Sequence, residues 1–97
     1  MIVSFGDRAT EDVYHNRPTH RLRQFPPKLL RLAWIKLDLL DSATAMLDLR
    51  SPPGNRLEAL RGDLVGFHSI RVNQQWRLIF RWQGNNAYAV RLVDYHR

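Results

Sequence analysis

The chain is predicted to fold as an α+β domain, with N-terminal helices packed on one face of a small antiparallel sheet. Three observations predict this. From Lys28 to Leu49 there is no Gly or Pro, and apolar residues recur every three or four positions. From Gly62 onward the hydrophobic period drops to two. The length of 97 residues with 44% apolar side chains suffices for one core and not two, so residues 1–97 are expected to form a single domain.

Each element follows in order. Ile2 to Phe5 reads as a short strand, and Asp7 or Thr10 is placed to cap a helix running to about His15. The polar stretch Arg17 to Pro27 carries three prolines and reads as a loop. The long helix then runs to Leu49, with Leu29, Leu32, Ala33, Leu37, Leu40, Ala43, Thr44 and Leu47 on one stripe. Trp34, Ile35 and Leu39 fall off that stripe and require cover, either from the first helix or from a protein partner. Ser51-Pro52-Pro53-Gly54-Asn55 stops the helix, and Arg56 to Leu60 either adds a helical turn or crosses to the sheet. Three strands follow, at about Val65 to Val72, Trp76 to Trp82 and Tyr88 to Val93. Asn73-Gln74-Gln75 and Gly84-Asn85-Asn86 join them as an antiparallel meander.

Strand alternation sorts the sheet into two faces. Trp76, Leu78, Phe80 and Trp82 share one with Ile70 and Val72, and this apolar face is expected to take the long helix. Arg71, Arg77 and Arg81 share the other, expected to be exposed. With Arg56 and Arg61 from the preceding loop they would make a phosphate cradle.

Charge agrees with that reading. The net charge is +6, and 13 of the 15 cationic residues are arginine, whose planar fork matches two phosphate oxygens and stacks on bases. An anionic partner, above all a nucleic acid, is favoured. The chain has no cysteine, which excludes disulfides, thiolate zinc sites and a thiol nucleophile. His15 and His20 lack any companion pattern of metal ligands, His68 reads as a partly buried strand residue, and no metal or cofactor is expected. There is no basic leader and no apolar run of the ~18 to 20 residues a membrane span requires, so a cytoplasmic protein is expected.

The final residues carry the most chemistry. The alternation of Tyr88, Val90 and Leu92 runs up to Asp94, so the tail Asp94, Tyr95, His96 and Arg97 is expected to be held against the sheet. It sets an acid, a phenol, an imidazole and a guanidinium side by side, a set suited to proton transfer beside a phosphate.

Four stretches carry a family resemblance. They are Ser51-Pro-Pro-Gly-Asn-Arg-Leu-Glu-Ala-Leu-Arg-Gly-Asp63, Gly66-Phe-His-Ser-Ile-Arg-Val-Asn73, Gln75-Trp-Arg-Leu-Ile-Phe80 and Val93-Asp-Tyr-His96. In this order and at this length the chain resembles the HigB branch of the RelE/ParE toxin superfamily over roughly its second half. The resemblance implies a toxin of a type II toxin–antitoxin system, an endoribonuclease that enters the ribosomal 30S A site and cleaves mRNA without a metal. Such a reaction needs a base for the ribose 2′-hydroxyl, donors for the phosphorane and an acid for the departing 5′-oxygen.

Residue by residue, Asp94, Tyr95 and His96 fall on the family's C-terminal motif, and Arg77 falls on its phosphate-binding arginine. Arg61 matches a basic position just before the Gly-Asp turn. Glu58 stands where many relatives carry histidine, so a carboxylate would serve there. The implied roles are Glu58 or Asp94 as base, His96 as acid, and Arg77 with Arg61 on the phosphorane. A free imidazole titrates at about 6.5 and a free phenol at about 10, so Tyr95 is expected to stack on a base or orient the phosphate. Arg56, Arg71, Asn73 and Arg81 are candidate contacts to the RNA.

The resemblance also implies a small helix-turn-helix antitoxin, HigA-like, and a toxin–antitoxin heterotetramer. That antitoxin is expected on Trp34, Ile35 and Leu39 or on the N-terminal helix. Two other classes stay open. The same fold hosts gyrase inhibitors, which generally lack an Asp-Tyr-His ending, and the arginine face alone would suit a plain RNA-binding regulator.

Overall fold

In the computed structural model, which describes residues 1–95, four strands form one antiparallel sheet in the order β1-β2-β3-β4. They are β1 (Glu58–Ala59), β2 (His68–Arg71), β3 (Trp76–Gln83) and β4 (Asn86–Asp94), preceded by α1 (Arg8–Tyr14) and α2 (Pro27–Ser42). This is the predicted α+β arrangement, and the segment Arg56 to Leu60 crosses to the sheet as β1.

Asp7 starts α1 from an extended backbone, its carboxylate accepting the Thr10 amide at 2.7 Å. The Thr10 hydroxyl, fully buried, then accepts the Leu92 amide at 2.8 Å and ties α1 to β4. Pro26 and Pro27 open α2, where a missing amide proton costs the helix nothing. Its inner face, Leu29, Ala33, Leu37 and Leu40, is buried with Ile70, Leu78, Phe80 and Val90 of the sheet. Each large side chain removed from water there contributes about 1.5–3 kcal/mol.

The long helix is shorter than its period suggested, ending at Ser42 instead of Leu49. Asp48 is the reason: its carboxylate accepts the Thr44 amide at 3.0 Å, the Ala45 amide at 3.1 Å and the Thr44 hydroxyl at 3.2 Å. These bonds, the Thr44 amide first, hold that carboxyl below its ordinary range and favour a turn over continued helix. Leu49 still reaches the core from the 3-10 turn Met46–Arg50, but Leu32 and Leu47 of the expected stripe are exposed. Trp34 and Ile35 are also exposed, so α1 does not cover them.

Sheet register places Ile70 opposite Leu78, Arg71 opposite Arg77, and Trp76 opposite Asp94. A bulge near Phe80 shifts the β3–β4 ladder, with Ala89 at φ 53. The stretch Ile2 to Phe5 lies parallel to β4 as isolated bridges and covers its outer edge: Val3 donates to the Ala87 carbonyl and Gly6 to that of Val90, both at 2.8 Å. Gly6 is required by this approach, because a Cβ there would meet the Arg91 side chain and lie 2.9 Å from the Ala89 oxygen.

One expectation about the faces needs correction. The arginine-bearing face is not exposed along its length, since Ser69, Arg77 and Ile79 are buried on it. Alternation assigns a side chain to a face but does not say what later lies over that face. Here the segment leading into β1 returns across it, and the Arg56 carbonyl sits on the Arg77 guanidinium.

Candidate active site

A cleft of about 1050 Å³ opens beside the β2–β3 turn, lined by Arg56, Glu58, Arg71, Asn73, Gln74, Gln75, Arg77 and Tyr95. Its floor is braced by local hydrogen bonds. The Asn73 side-chain oxygen accepts the Gln75 amide at 2.9 Å and the Trp76 amide at 2.8 Å, while the Val72 and Asn73 amides both reach the Trp76 carbonyl. The Tyr95 amide donates to the Gln75 carbonyl at 2.7 Å, which extends the pairing to the end of the described chain.

Arg71 and Arg77 stand directly opposite each other in the ladder, an arrangement that repulsion alone would disfavour. Each is held by acceptors. Arg71 Nε donates to the Asn73 carbonyl at 3.0 Å. Arg77 Nη2 donates to the Arg56 carbonyl at 2.5 Å, and Nη1 lies 3.5 Å from Glu58 Oε1. The Arg77 guanidinium also sits 5.4 Å from the centre of the Tyr95 ring.

Arg77 is only 7% exposed, whereas one third of the Glu58 side chain remains open to solvent. Three arginines, Arg56, Arg71 and Arg77, therefore line a partly water-excluded cleft in which Glu58 is the one lining carboxylate among the described residues, an environment that favours a phosphate. Glu58 can accept a proton while its neighbour Arg77 holds the anion from which that proton came.

Six of the ten residues singled out from sequence thus line one cleft: Arg56, Glu58, Arg71, Asn73, Arg77 and Tyr95. Three lie elsewhere. Asp94, as the ladder partner of Trp76, is assigned to the helix side and accepts the Gln75 side-chain amide at 2.9 Å. Arg81, roughly 13 Å along β3 from Arg77, places its guanidinium 4.4 Å from the Phe67 ring centre. Arg61 is exposed before the turn Gly62–Leu64. The tenth, His96, lies outside the described residues.

Sequence reasoning missed Gln74 and Gln75 as cleft residues, and it gave Lys36 and Asn55 no part. Lys36 donates its ammonium to Asn55 Oδ1. Neither periodicity nor local spacing signals a bond between residues so far apart in the chain. Among the described residues no group of three or more His, Asp or Glu side chains converges as metal ligands, and no helix is long and apolar enough to cross a membrane.

Comparison with known proteins adds family information. A family model described as the RelE-like toxin of type II toxin–antitoxin system HigB matches residues 3–96. Toxin HigB-1 of Vibrio cholerae is 48% identical over 82 residues, 84% of each chain. Endoribonuclease HigB of Proteus vulgaris is 34% identical over 61 residues, covering 63% of this chain and 65% of that one. Among solved structures, the YoeB–YefM complex of Staphylococcus aureus contains a chain with the same fold, with a TM-score of 0.59 at 20% identity across 100% of this chain and 99% of that one. A second structure at the same similarity is a heterotetrameric YoeB–YefM toxin–antitoxin complex.

Proposed function

This chain belongs to the HigB-like family of RelE-like toxins of type II toxin–antitoxin systems, and from that footing we propose that it cleaves mRNA in the ribosomal A site and so inhibits translation. The observation that carries the reading is the buried Arg77, ion-paired to Glu58 and facing Arg71 across one cleft. Glu58 takes the proton from the ribose 2′-hydroxyl, and the 2′-oxygen attacks the adjacent phosphorus. Arg77 and Arg71 offset the negative charge that builds on the phosphorane oxygens. His96 protonates the departing 5′-oxygen, leaving a 2′,3′-cyclic phosphate and a 5′-hydroxyl. The side chains supply every proton transfer, with no metal ion or cofactor.

Glu58 is favoured over Asp94 as base because it lines the cleft 3.5 Å from Arg77, whereas Asp94 is assigned to the other side of the sheet. Tyr95 stacks on a nucleobase or orients the phosphate. A protein with this substrate works where ribosomes do, in the cytoplasm.

The partner is a HigA-like helix-turn-helix antitoxin in a heterotetramer. Trp34 and Ile35 are 44% and 45% exposed and flank a groove of about 650 Å³ with Val13, Leu22, Pro27 and Leu30. An antitoxin seated there, on the helix side, leaves the cleft open. A Trp34→Asp, Ile35→Asp double change that leaves complex formation undiminished would refute this placement.

The catalytic reading is tested by inducing the parent, Glu58→Gln and His96→Ala chains, scoring growth arrest, and mapping mRNA 5′ ends in a purified translation system with and without ribosomes. The parent is expected to arrest growth and cut only ribosome-bound mRNA, and both variants to lose cutting. Arrest by the parent with intact mRNA would overturn it in favour of a gyrase-type or RNA-binding toxin.

A further inference from the structure

Resting on the nuclease reading above, we infer that Lys36 and Asn55 form a latch that positions the Arg77 guanidinium in the cleft, although neither residue lines it. Asn55 is fully buried, and its side chain is engaged at both ends. Nδ2 donates to the Leu49 and Ser51 carbonyls at 3.2 Å each, and Oδ1 accepts from Lys36 Nζ. Lys36 projects from α2, whose neighbouring residues Ala33, Leu37 and Leu40 are fully buried, so its stem springs from a helix packed into the core.

The latch acts on the next residue. Arg56 adopts φ 46, ψ 55, a left-handed conformation that a side-chain-bearing residue keeps only where its surroundings enforce it. That conformation aims the Arg56 carbonyl at Arg77 Nη2, 2.5 Å away. Core helix, buried amide, strained turn and guanidinium are thus joined in one chain of bonds. Burial of the Lys36 ammonium beside Asn55 pushes its pKa down. Lys36 and Asn55 are positioning residues: they touch no substrate but decide where Arg77 presents its donors.

The experiment compares the parent, Lys36→Met and Lys36→Arg chains. Two quantities are read: single-turnover cleavage of mRNA on programmed ribosomes, and 15N side-chain spectra of the arginines in the free protein. Lys36→Met is expected to melt cooperatively, lose about ten- to a hundredfold in the cleavage step as a misplaced group does, and change KM by less than about threefold. Its Arg77 Nη signals should average through faster rotation, and Lys36→Arg should restore both readouts. In an Arg77→Ala background the Lys36→Met change should cost nothing further. A folded Lys36→Met chain with unchanged Arg77 signals and unchanged cleavage overturns the latch, as does a rise in KM alone. If Lys36→Met does not fold, Lys36→Gln is read the same way. Should the parent cut no RNA, the nuclease reading falls, and the Arg77 spectra alone decide the latch.

Discussion

Replacing Arg77 by lysine tests whether the cleft needs a guanidinium or merely a positive charge. In the structure the guanidinium meets the Arg56 carbonyl at 2.5 Å, the Glu58 carboxylate at 3.5 Å and the Tyr95 ring at 5.4 Å. A lysine ammonium is a point charge on a flexible stem and cannot hold the Arg56 carbonyl while presenting donors to a phosphate. Loss of the Arg56 hydrogen bond costs about 1 kcal/mol of stability. For a domain of this size that lowers Tm by roughly 4–8 °C. Loss of one preorganised donor to the phosphorane costs about 10²–10³ in the cleavage rate, or roughly 2.7–4 kcal/mol. Thermal melting followed by circular dichroism and single-turnover cleavage on programmed ribosomes measure the two separately. Cleavage within threefold of the parent, with the melting point lowered, would show that Arg77 serves the fold alone and would refute the catalytic reasoning.

Two further outcomes concern the scaffold. Gly6→Ala forces a Cβ against the Ala89 carbonyl and the Arg91 side chain and should cost about 1–3 kcal/mol in urea denaturation; an unchanged midpoint would mean that the N-terminal stretch does not hold β4 as described. Asp12, buried in α1, accepts from Arg21 Nε at 2.6 Å and from the Thr19 hydroxyl at 2.7 Å. Those bonds, Arg21 first, hold its carboxyl below the ordinary value of 3.8. Folding lowers this pKa, so the stabilisation is fully present above the ordinary carboxylate range and is lost as pH falls through the lower folded value. Tm of the parent should therefore drop below about pH 4, and Asp12→Asn should lower Tm at neutral pH while flattening that acid drop. Parallel Tm curves for the two chains would contradict the assignment.

Much of the architecture was legible in residue order. The change of hydrophobic period near Gly62 marks where helices give way to strands, and Asn73-Gln74-Gln75 and Gly84-Asn85-Asn86 sit at the two hairpins. The end of α2 was not legible, because helix propensity continues through residues 43–49 while the Asp48 carboxylate competes for the Thr44 and Ala45 amides. Of the site, Arg71 and Arg77 could be assigned to one face from alternation alone. That Asp94 falls on the opposite side from Tyr95 was implicit in the same rule, yet the clustering of Asp94, Tyr95 and His96 in sequence suggested a shared surface.

Local preferences propagate over a few residues, and at that range they account for the Asp7 cap, the two hairpins, the buried Leu29, Ala33, Leu37 and Leu40 of α2 and the two-faced strands. Family kinship was equally readable, since it resides in the order of short motifs. Which groups meet in the cleft is another matter. Glu58 reaches Arg77 because β1 adds to the edge of β2, and Lys36 on α2 reaches Asn55 in the turn Pro53–Asn55. Contacts of that kind join residues about twenty positions apart, and they form only once core burial has offset the entropy of closing the chain between them.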